Sequence, residues 1–395
     1  MRSAVIVDVV RTAIGRRNGQ LSGWHPADLA GECLSALQQR NDLDAGLVDD
    51  VIVGCVMQSG AQSVNVARSA VLAAGWPEEV PATTIDRQCG SSQQAAHFAA
   101  QGVMAGAYDV VVAGGIEVMS LVPMGASMGR GFGAPFGPRV AARYSERGGL
   151  VPQGVAAERL IDSFGLSREE LDAYGAASRA RAARAAAEGR FGREIVPVAA
   201  LRRAGDLAGP TGNGLAIADE CISPTTAEEL AELKPSFVPG GHVTAGNSAQ
   251  IGDGASAALI MAEEVAERLG YRPRARFCGF ALAGVDPLLM LSGPIPATRK
   301  VLDRCSLTVD DIDVAEVNEA FAAVVLAWAK DLQADVDKVN VNGGAIALGH
   351  PLGASGTRLL ATLVNELERC GGRFGLQTMC EAGGMANALV IERLG

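Results

Sequence analysis

Aromatic residues make up only 4% of this chain, and it has four histidines. Its eight cysteines (33, 55, 89, 221, 278, 305, 370 and 380) form no Cys-x-x-Cys pair, and His25, His97, His242 and His350 have no metal-ligand spacing with each other or with a cysteine pair. Bound metals need clustered ligands, so no metal is expected. Scattered cysteines fit a reducing compartment, where most are small buried hydrophobes. Long apolar runs are missing too. Val110 to Gly115 is followed closely by Glu117, far short of the roughly 18 residues of a spanning helix. Met1 to Val10 is broken by Asp8 and lacks the apolar segment of a secretory signal. A cytoplasmic location without membrane association is expected. Excess positive charge is absent, with 34 basic residues against 44 acidic and a net charge of −10. Nothing general draws such a chain to nucleic acid.

What the sequence has is glycine, 49 in 395 residues, about 12% against roughly 7% in an average protein. With 48% hydrophobic residues the composition is globular, and the length predicts two or three domains or one duplicated fold.

Duplication is visible. Val48-Asp-Asp-Val-Ile-Val53 is echoed by Val309-Asp-Asp-Ile-Asp-Val314, and Cys89 and His350 each follow their Asp-Asp passage by forty residues, counted from Asp49 and Asp310. Each comes after a strand-like run (Ala82 to Ile85; Lys338 to Val341) and opens a Gly/Ser-rich turn before a helical stretch. A buried strand ending in small residues follows, Val110 to Gly115 and Leu376 to Gly384. In the second copy the next strand, Ala386 to Ile391, is immediate; in the first its counterpart, Ala255 to Met261, is delayed by residues 119–243. That insert carries 14 basic and 14 acidic residues, so it is neutral on an acidic body. Alternating strands and helices predict α/β architecture with mostly parallel, helix-covered sheets, two halves packed as one layered body.

Three short passages carry chemistry. Asp86-Arg-Gln-Cys-Gly-Ser-Ser92 puts Cys89 between a strand and a helix start, where free N–H groups and the helix dipole favour thiolate and can face an oxyanion. Asn342 to Gly356 has the glycines of a phosphate loop, but His350-Pro351 stands where Lys-Ser/Thr is required. A histidine there, with few polar neighbours, suits a base or donor that substrate approaches closely. Cys380-Glu-Ala-Gly-Gly384 ends a buried strand with residues small enough to admit a ligand near the backbone. Glu316-Val-Asn-Glu-Ala-Phe321 adds a polar triplet after a strand, with Asn318 as its unusual member. Gly125-Ala-Ser-Met-Gly129 matches the hydrolase Gly-x-Ser-x-Gly pattern, yet the surrounding Pro and Gly leave no strand-to-helix elbow for Ser127.

Together these passages closely resemble the thiolase family, the acyl-CoA acetyltransferases, over nearly the whole chain. The Cys89 turn, Val317-Asn-Glu-Ala-Phe321, the Gly343 to Gly356 loop, Cys380 with its glycines, and Thr244-Ala-Gly-Asn247 leading to Asp253-Gly254 occur in the family's order. The resemblance implies the α/β thiolase fold, two duplicated halves in a layered α-β-α-β-α body with an inserted loop domain. Its units would be residues 1–118 plus 244–270, the insert 119–243, and 271–395. It implies CoA-dependent cleavage of 3-ketoacyl-CoA to acetyl-CoA and a shortened acyl-CoA, or the reverse condensation, through an acylated Cys89. His350 would be the activating base, Cys380 the second acid/base and Asn318 the residue ordering an oxyanion-hole water. The oxyanion hole would use Cys89, Ala382 and His350, and substrate or CoA would meet Ser248, Phe321 and Gln153. CoA enters as substrate, with no permanently bound cofactor, and a homodimer or homotetramer is expected.

The family usually reads Cys-x-Gly-Gly-Gly, and Ala382 takes the first of those glycine places. Its His-Met-Gly stretch becomes Pro152-Gln-Gly154, and its Asn-Ala-Ser becomes Asn247-Ser248-Ala249. The Asp86 to Gln94 passage is most similar to thiolases handling bulky, sterol-derived chains. A condensing enzyme acting on carrier-bound acyl groups would carry a different residue set from Cys89, His350 and Cys380. A non-enzymatic acyl carrier would be expected to have lost one of the four principal residues, and all are present.

Overall fold

Every residue of Ala4–Thr12, Val110–Val118 and Gly252–Ala262 is buried, as in strands covered by helices on both faces. In the computed structural model, which describes residues 2–128, 133–204 and 208–395, these strands are the middle of a large mixed sheet. The first half runs β1 (Ala4–Thr12), α1 (Pro26–Asn41), β2 (Asp50–Gly54), α2 (Val66–Ala73), β3 (Ala82–Ile85), α3 (Ser91–Met104) and β4 (Val110–Val118). An intervening segment carries α4 (Gln153–Phe164) and α5 (Arg168–Ala187), and β5 (Gly252–Ala262) completes this half. The second half repeats the plan with β6 (Ala275–Gly284), α6 (Pro294–Cys305), β7 (Val314–Val317), α7 (Ala322–Leu332), α8 (Ser355–Cys370), β8 (Phe374–Glu381) and β9 (Met385–Arg393).

The strand order is β7-β8-β9-β6 in one half and β1-β5-β4-β2-β3 in the other. The halves join where β1 meets β6, pairing Val5 with Arg276 and Ile6 with Ala275. Helices α3 and α8 pack on each other between the halves, α1 and α2 cover the outer face of the first, and α6 with α7 covers that of the second. The layering is α-β-α-β-α, although the two sheets share one hydrogen-bonded path.

Repeat register differs from the Asp-Asp alignment. Val110 and Phe374, Ser91 and Ser355, and Asp49 and Asp313 are each 264 residues apart, whereas Asp49 and Asp310 are separated by 261. The constraint falls on a single aspartate in each copy. Asp49 Oδ2 accepts the N–H groups of Asp109 and Val110, and Asp313 Oδ2 accepts those of Arg373 and Phe374, pinning the start of the neighbouring strand. Val309–Asp311 is therefore the counterpart of the Ala45–Leu47 turn, and Gly353 rather than His350 is the counterpart of Cys89. Lys338 to Val341 is no strand; Val339 alone bridges to Ala315.

Strands β4 and β5 pair antiparallel, Val118 opposite Asp253, so the segment between them leaves and returns at one end of the sheet. Asp253 marks that exit by accepting hydrogen bonds from Ser120 N (2.8 Å) and Ser120 Oγ (2.6 Å). Helices α4 and α5 lie on α7 of the second half, and α4 packs with Cys380 near the end of β8. Residues 129–132 and 205–207 of this segment lie outside the described residues. Ser127 sits in the single turn Ala126–Met128, and Gly129 of its pattern is among the residues outside the description.

Candidate active site

Cys89 sits on a turn built by its neighbours. Asp86 Oδ1 accepts the Gln88 N–H (2.6 Å), Ser91 Oγ accepts the Arg87 N–H (2.9 Å), and Gln88 takes the left-handed φ of 49°. The thiol is 4% exposed and packs with Met57, Met119, Leu352 and Met379. Gln153, the first residue of α4, donates through Nε2 to the sulfur at 3.9 Å. Burial pushes the thiol up to about 12; the Gln153 amide opposes this, and Glu381 and Asp86 add to it. The lowering expected from the helix start is thus outweighed. Helix α3 begins two residues later, at Ser91, and desolvation of a buried thiolate exceeds what a helix end returns. Cys89 rests as a thiol.

His350 follows Gly349, whose φ of 105° is open to glycine only. It is buried and has two polar side-chain neighbours, Ser355 and Asn318. Nδ1 lies 2.6 Å from Ser355 Oγ, and the Ser355 hydroxyl donates to Pro351 O at 2.9 Å. A hydroxyl has one hydrogen and a carbonyl only accepts, so the Nδ1 nitrogen carries the imidazole proton and Nε2 keeps its lone pair. That is the tautomer of a base. Asn318 Nδ2 lies 3.4 Å from Nε2, and Asn318 Oδ1 is buried with no partner among the described residues. Burial, followed by the charge of Arg358, pulls His350 down to about 3, so it is neutral at any working pH. Across the halves, Glu117 accepts the N–H groups of Gly353 (2.9 Å), Val56 (2.9 Å) and Met57 (3.1 Å), clamping the His350 loop to the first half.

Cys380 is fully buried near the end of β8, beside Phe321, Ile346 and Met290. Burial, then the charge Cys89 would carry, pushes its thiol well above the ordinary range. At the hairpin that follows, the positive φ values fall on Gly383 (86°) and Gly384 (80°) and not on Ala382. The Ala382 N–H has no protein acceptor among the described residues. Alanine therefore fits this position unstrained, and Ala382→Gly should change turnover by less than about threefold, under roughly 1 kcal/mol. A tenfold gain in steady-state kcat would mean that the Cβ spoils a donor.

Further out, Ser248 bridges to Phe321 and donates its hydroxyl to Thr244 O at 2.6 Å. Phe321 meets the half-exposed ring of Phe237 edge-on at 6.0 Å. Gly154 makes room for that ring, since a Cβ there would come within 2.2 Å of it. Gln153, which meets Cys89, is thus linked through Gly154 and Phe237 to Phe321 and Ser248; Phe237 is a residue the sequence reading missed. An aromatic after Pro-Ser in a Pro/Gly-rich loop carries little signal. Ser355 and Glu117 were also missed as supporting groups; the lone charge in the apolar run of β4 was the available sign. Among the described residues no His, Cys, Asp or Glu cluster could hold a metal, and no helix is long and apolar enough to cross a membrane.

A buried thiol, a neutral imidazole whose Nε2 lone pair faces the Asn318 amide, a second thiol and the unpartnered Ala382 N–H can together move an acyl group and carry protons. Comparison with known proteins agrees in kind. The family profile described as the thiolase N-terminal domain matches residues 4–264, and that of the thiolase C-terminal domain matches residues 271–393. The chain is 48% identical to the steroid 3-ketoacyl-CoA thiolase FadA6 of Mycobacterium tuberculosis, over 100% of this chain and 95% of that protein. It is 43% identical to an acetyl-CoA acetyltransferase of Syntrophomonas wolfei, over the full length of both. The crystal structure of the Bacillus anthracis acetyl-CoA acetyltransferase superposes with a TM-score of 0.88 at 38% identity, covering 100% of this chain and 99% of that one.

Proposed function

The chain belongs to the thiolase family and is an acyltransferase that cleaves 3-ketoacyl-CoA with CoA; on that premise we propose how its own residues divide the work. In the first half-reaction Cys89 gives its proton to His350 Nε2 while sulfur attacks the 3-keto carbon. The oxyanion is met by the N–H groups of Cys89 and Ala382, with His350 and an Asn318-ordered water serving the thioester oxygen. The bond between carbons 2 and 3 breaks, and the acetyl-CoA carbanion takes the Cys380 proton. In the second half-reaction the Cys380 thiolate takes the proton of incoming CoA, whose sulfur attacks the acyl group, and Cys89 leaves and recovers its proton from His350. The balance closes, with no net proton. A thioester intermediate keeps the acyl group activated, which an ester on serine would not.

The observation that carries this assignment is the His350 tautomer. Ser355 and Pro351 together hold the proton on Nδ1 and leave Nε2 as the basic nitrogen, and separate ionisation of Cys89 or His350 is opposed by burial. Transfer of a proton between them, which creates opposite charges side by side, is the favourable route. Gln153, Ser248 and Phe321 are assigned to CoA and the acyl chain, and residues 119–243 to the loop domain contributing that pocket. Similarity to a steroid 3-ketoacyl-CoA thiolase supports bulky acyl chains as substrates. A homodimer or homotetramer in solution completes the reading. Brief incubation with acetyl-CoA should leave one acetyl group, on the Cys89 peptide by mass spectrometry. Label on Cys380 or Cys221 would overturn the assignment. If acetoacetyl-CoA is cleaved far faster than every longer or cyclic substrate, the bulky-chain reading goes.

A further inference from the structure

Within the Cys380–Gly384 hairpin, Glu381 has no part in that mechanism. It ends β8 fully buried, and neither carboxyl oxygen has a hydrogen-bond partner among the described residues. Strand alternation sends it to the face opposite Cys380, where it reaches the turn behind the nucleophile. A Cβ on Gly90 would lie 2.2 Å from Glu381 Oε1 and 2.7 Å from Asn387 Nδ2, so glycine alone leaves room for the carboxyl. Asn387 donates through Nδ2 to Gly90 O at 2.9 Å, and its Oδ1 is also buried and unpaired. An ionised carboxylate with no donor is unfavourable in such a place, whereas the neutral acid has one proton to give and a free amide oxygen nearby. The charged and titratable groups around it are Asp86, Arg87 and Cys89 from the turn and Cys380 from β8; β9 contributes the neutral Asn387. Burial, opposed by Arg87 and helped by Asp86, pushes the carboxyl up to about 8.

We propose that Glu381 is a positioning residue that must be uncharged while Cys89 takes the acyl group, so that its ionisation closes the site on the alkaline side. The inference rests on Cys89 being the nucleophile. Acylation creates negative charge at the Cys89 sulfur and at the oxyanion beside Ala382, the residue next to Glu381. A carboxylate there repels both, and the neutral acid does not. The sign follows: activity is full below the Glu381 transition and falls as pH rises through it.

The test compares wild type and Glu381→Gln, an uncharged group of the same shape, in thiolysis and in alkylation of Cys89 by iodoacetamide from about pH 6 to about pH 10. At pH 7 the two should agree within about threefold, since both side chains are neutral. Above about pH 8 wild-type turnover should fall at least threefold and its alkylation rate should stop climbing, while Glu381→Gln keeps its turnover and its tenfold rise per pH unit. Identical profiles in the two proteins, or a loss beyond tenfold at pH 7 in Glu381→Gln, would overturn the proposal. Should that variant fail to fold, Arg87→Gln on the half-buried side of the turn removes the cation that favours the carboxylate. It should move the alkaline limb to higher pH, and an unmoved limb counts against Glu381. If wild-type Cys89 takes no acetyl group from acetyl-CoA, the assignment of the nucleophile fails instead.

Discussion

Cys380→Ser should lower overall thiolysis by about 10² to 10⁴, the usual contribution of a positioned acid or base, while acetyl transfer from acetyl-CoA onto Cys89 stays within about tenfold of wild type. The reason lies in which proton each group holds. In the proposed mechanism Cys89 and His350 exchange theirs, and Ser355 and Asn318, which contact the two His350 ring nitrogens, hold the imidazole in place. Cys380 serves in that mechanism where a carbanion must be protonated or a CoA thiol deprotonated; when acetyl-CoA acylates Cys89 the same proton is dispensable, because CoA departs readily as its thiolate. A serine hydroxyl is far too weak an acid for the first task and, once formed as alkoxide, too costly for the second in a site this buried. Intact-protein mass spectrometry reads the acyl-enzyme, and a coupled assay reads the carbon–carbon step. Cys89→Ala should lose both. Equal loss of both partial reactions in Cys380→Ser would mean that the two thiols act as one unit.

Much of this was legible in the residues. The strands announced themselves because helices on both faces leave no polar alternation, and the break between β4 and β5 stood out because the second copy has none. The Cys89, His350 and Cys380 passages were findable because each puts a reactive side chain among glycines at the end of an element. Register was not findable from the Asp-Asp pairs. One aspartate per copy does the structural task, and a pair of adjacent acids offers the eye two choices. The state of Cys89 was also misjudged, since a helix start is visible in sequence and the burial that overrides it is not. The supporting groups were hidden for a related reason. Glu117 acts across halves on Gly353, and Glu381 meets Gly90 from almost 300 residues away. Their meaning depends on which surfaces face each other, which no local spacing records. Ser355 was on view inside the loop motif, but its value rests on where its one hydrogen goes.

Outside the chemistry, the largest loss of stability is expected from Asp219→Ala. Arg11 on β1 is wholly buried and gives a two-pronged contact to Asp219, with NH1 2.6 Å from Oδ1 and NH2 2.9 Å from Oδ2, while its Nε meets Glu194 at 2.7 Å. Asp219 Oδ1 also accepts the Ile14 N–H at 2.8 Å. Removing the carboxylate leaves a buried guanidinium half-paired and a backbone donor empty, a change that typically costs about 3–5 kcal/mol. Against a total of roughly 5–15 kcal/mol for a folded domain the effect is large. Both acids belong to the segment between β4 and β5, so the contact fixes where that segment returns to the first half. Two residues on, Cys221 lies against Gly349, its sulfur 3.7 Å from where a Cβ would stand, so the same return supports the His350 loop. Asp219→Asn keeps an acceptor for Ile14 and should lose less. The urea midpoint reads the difference, with an unchanged slope marking a change in stability rather than in compactness. A midpoint for Asp219→Ala equivalent to less than about 1 kcal/mol would show that the pair only offsets its own desolvation and that Glu194 alone suffices for Arg11.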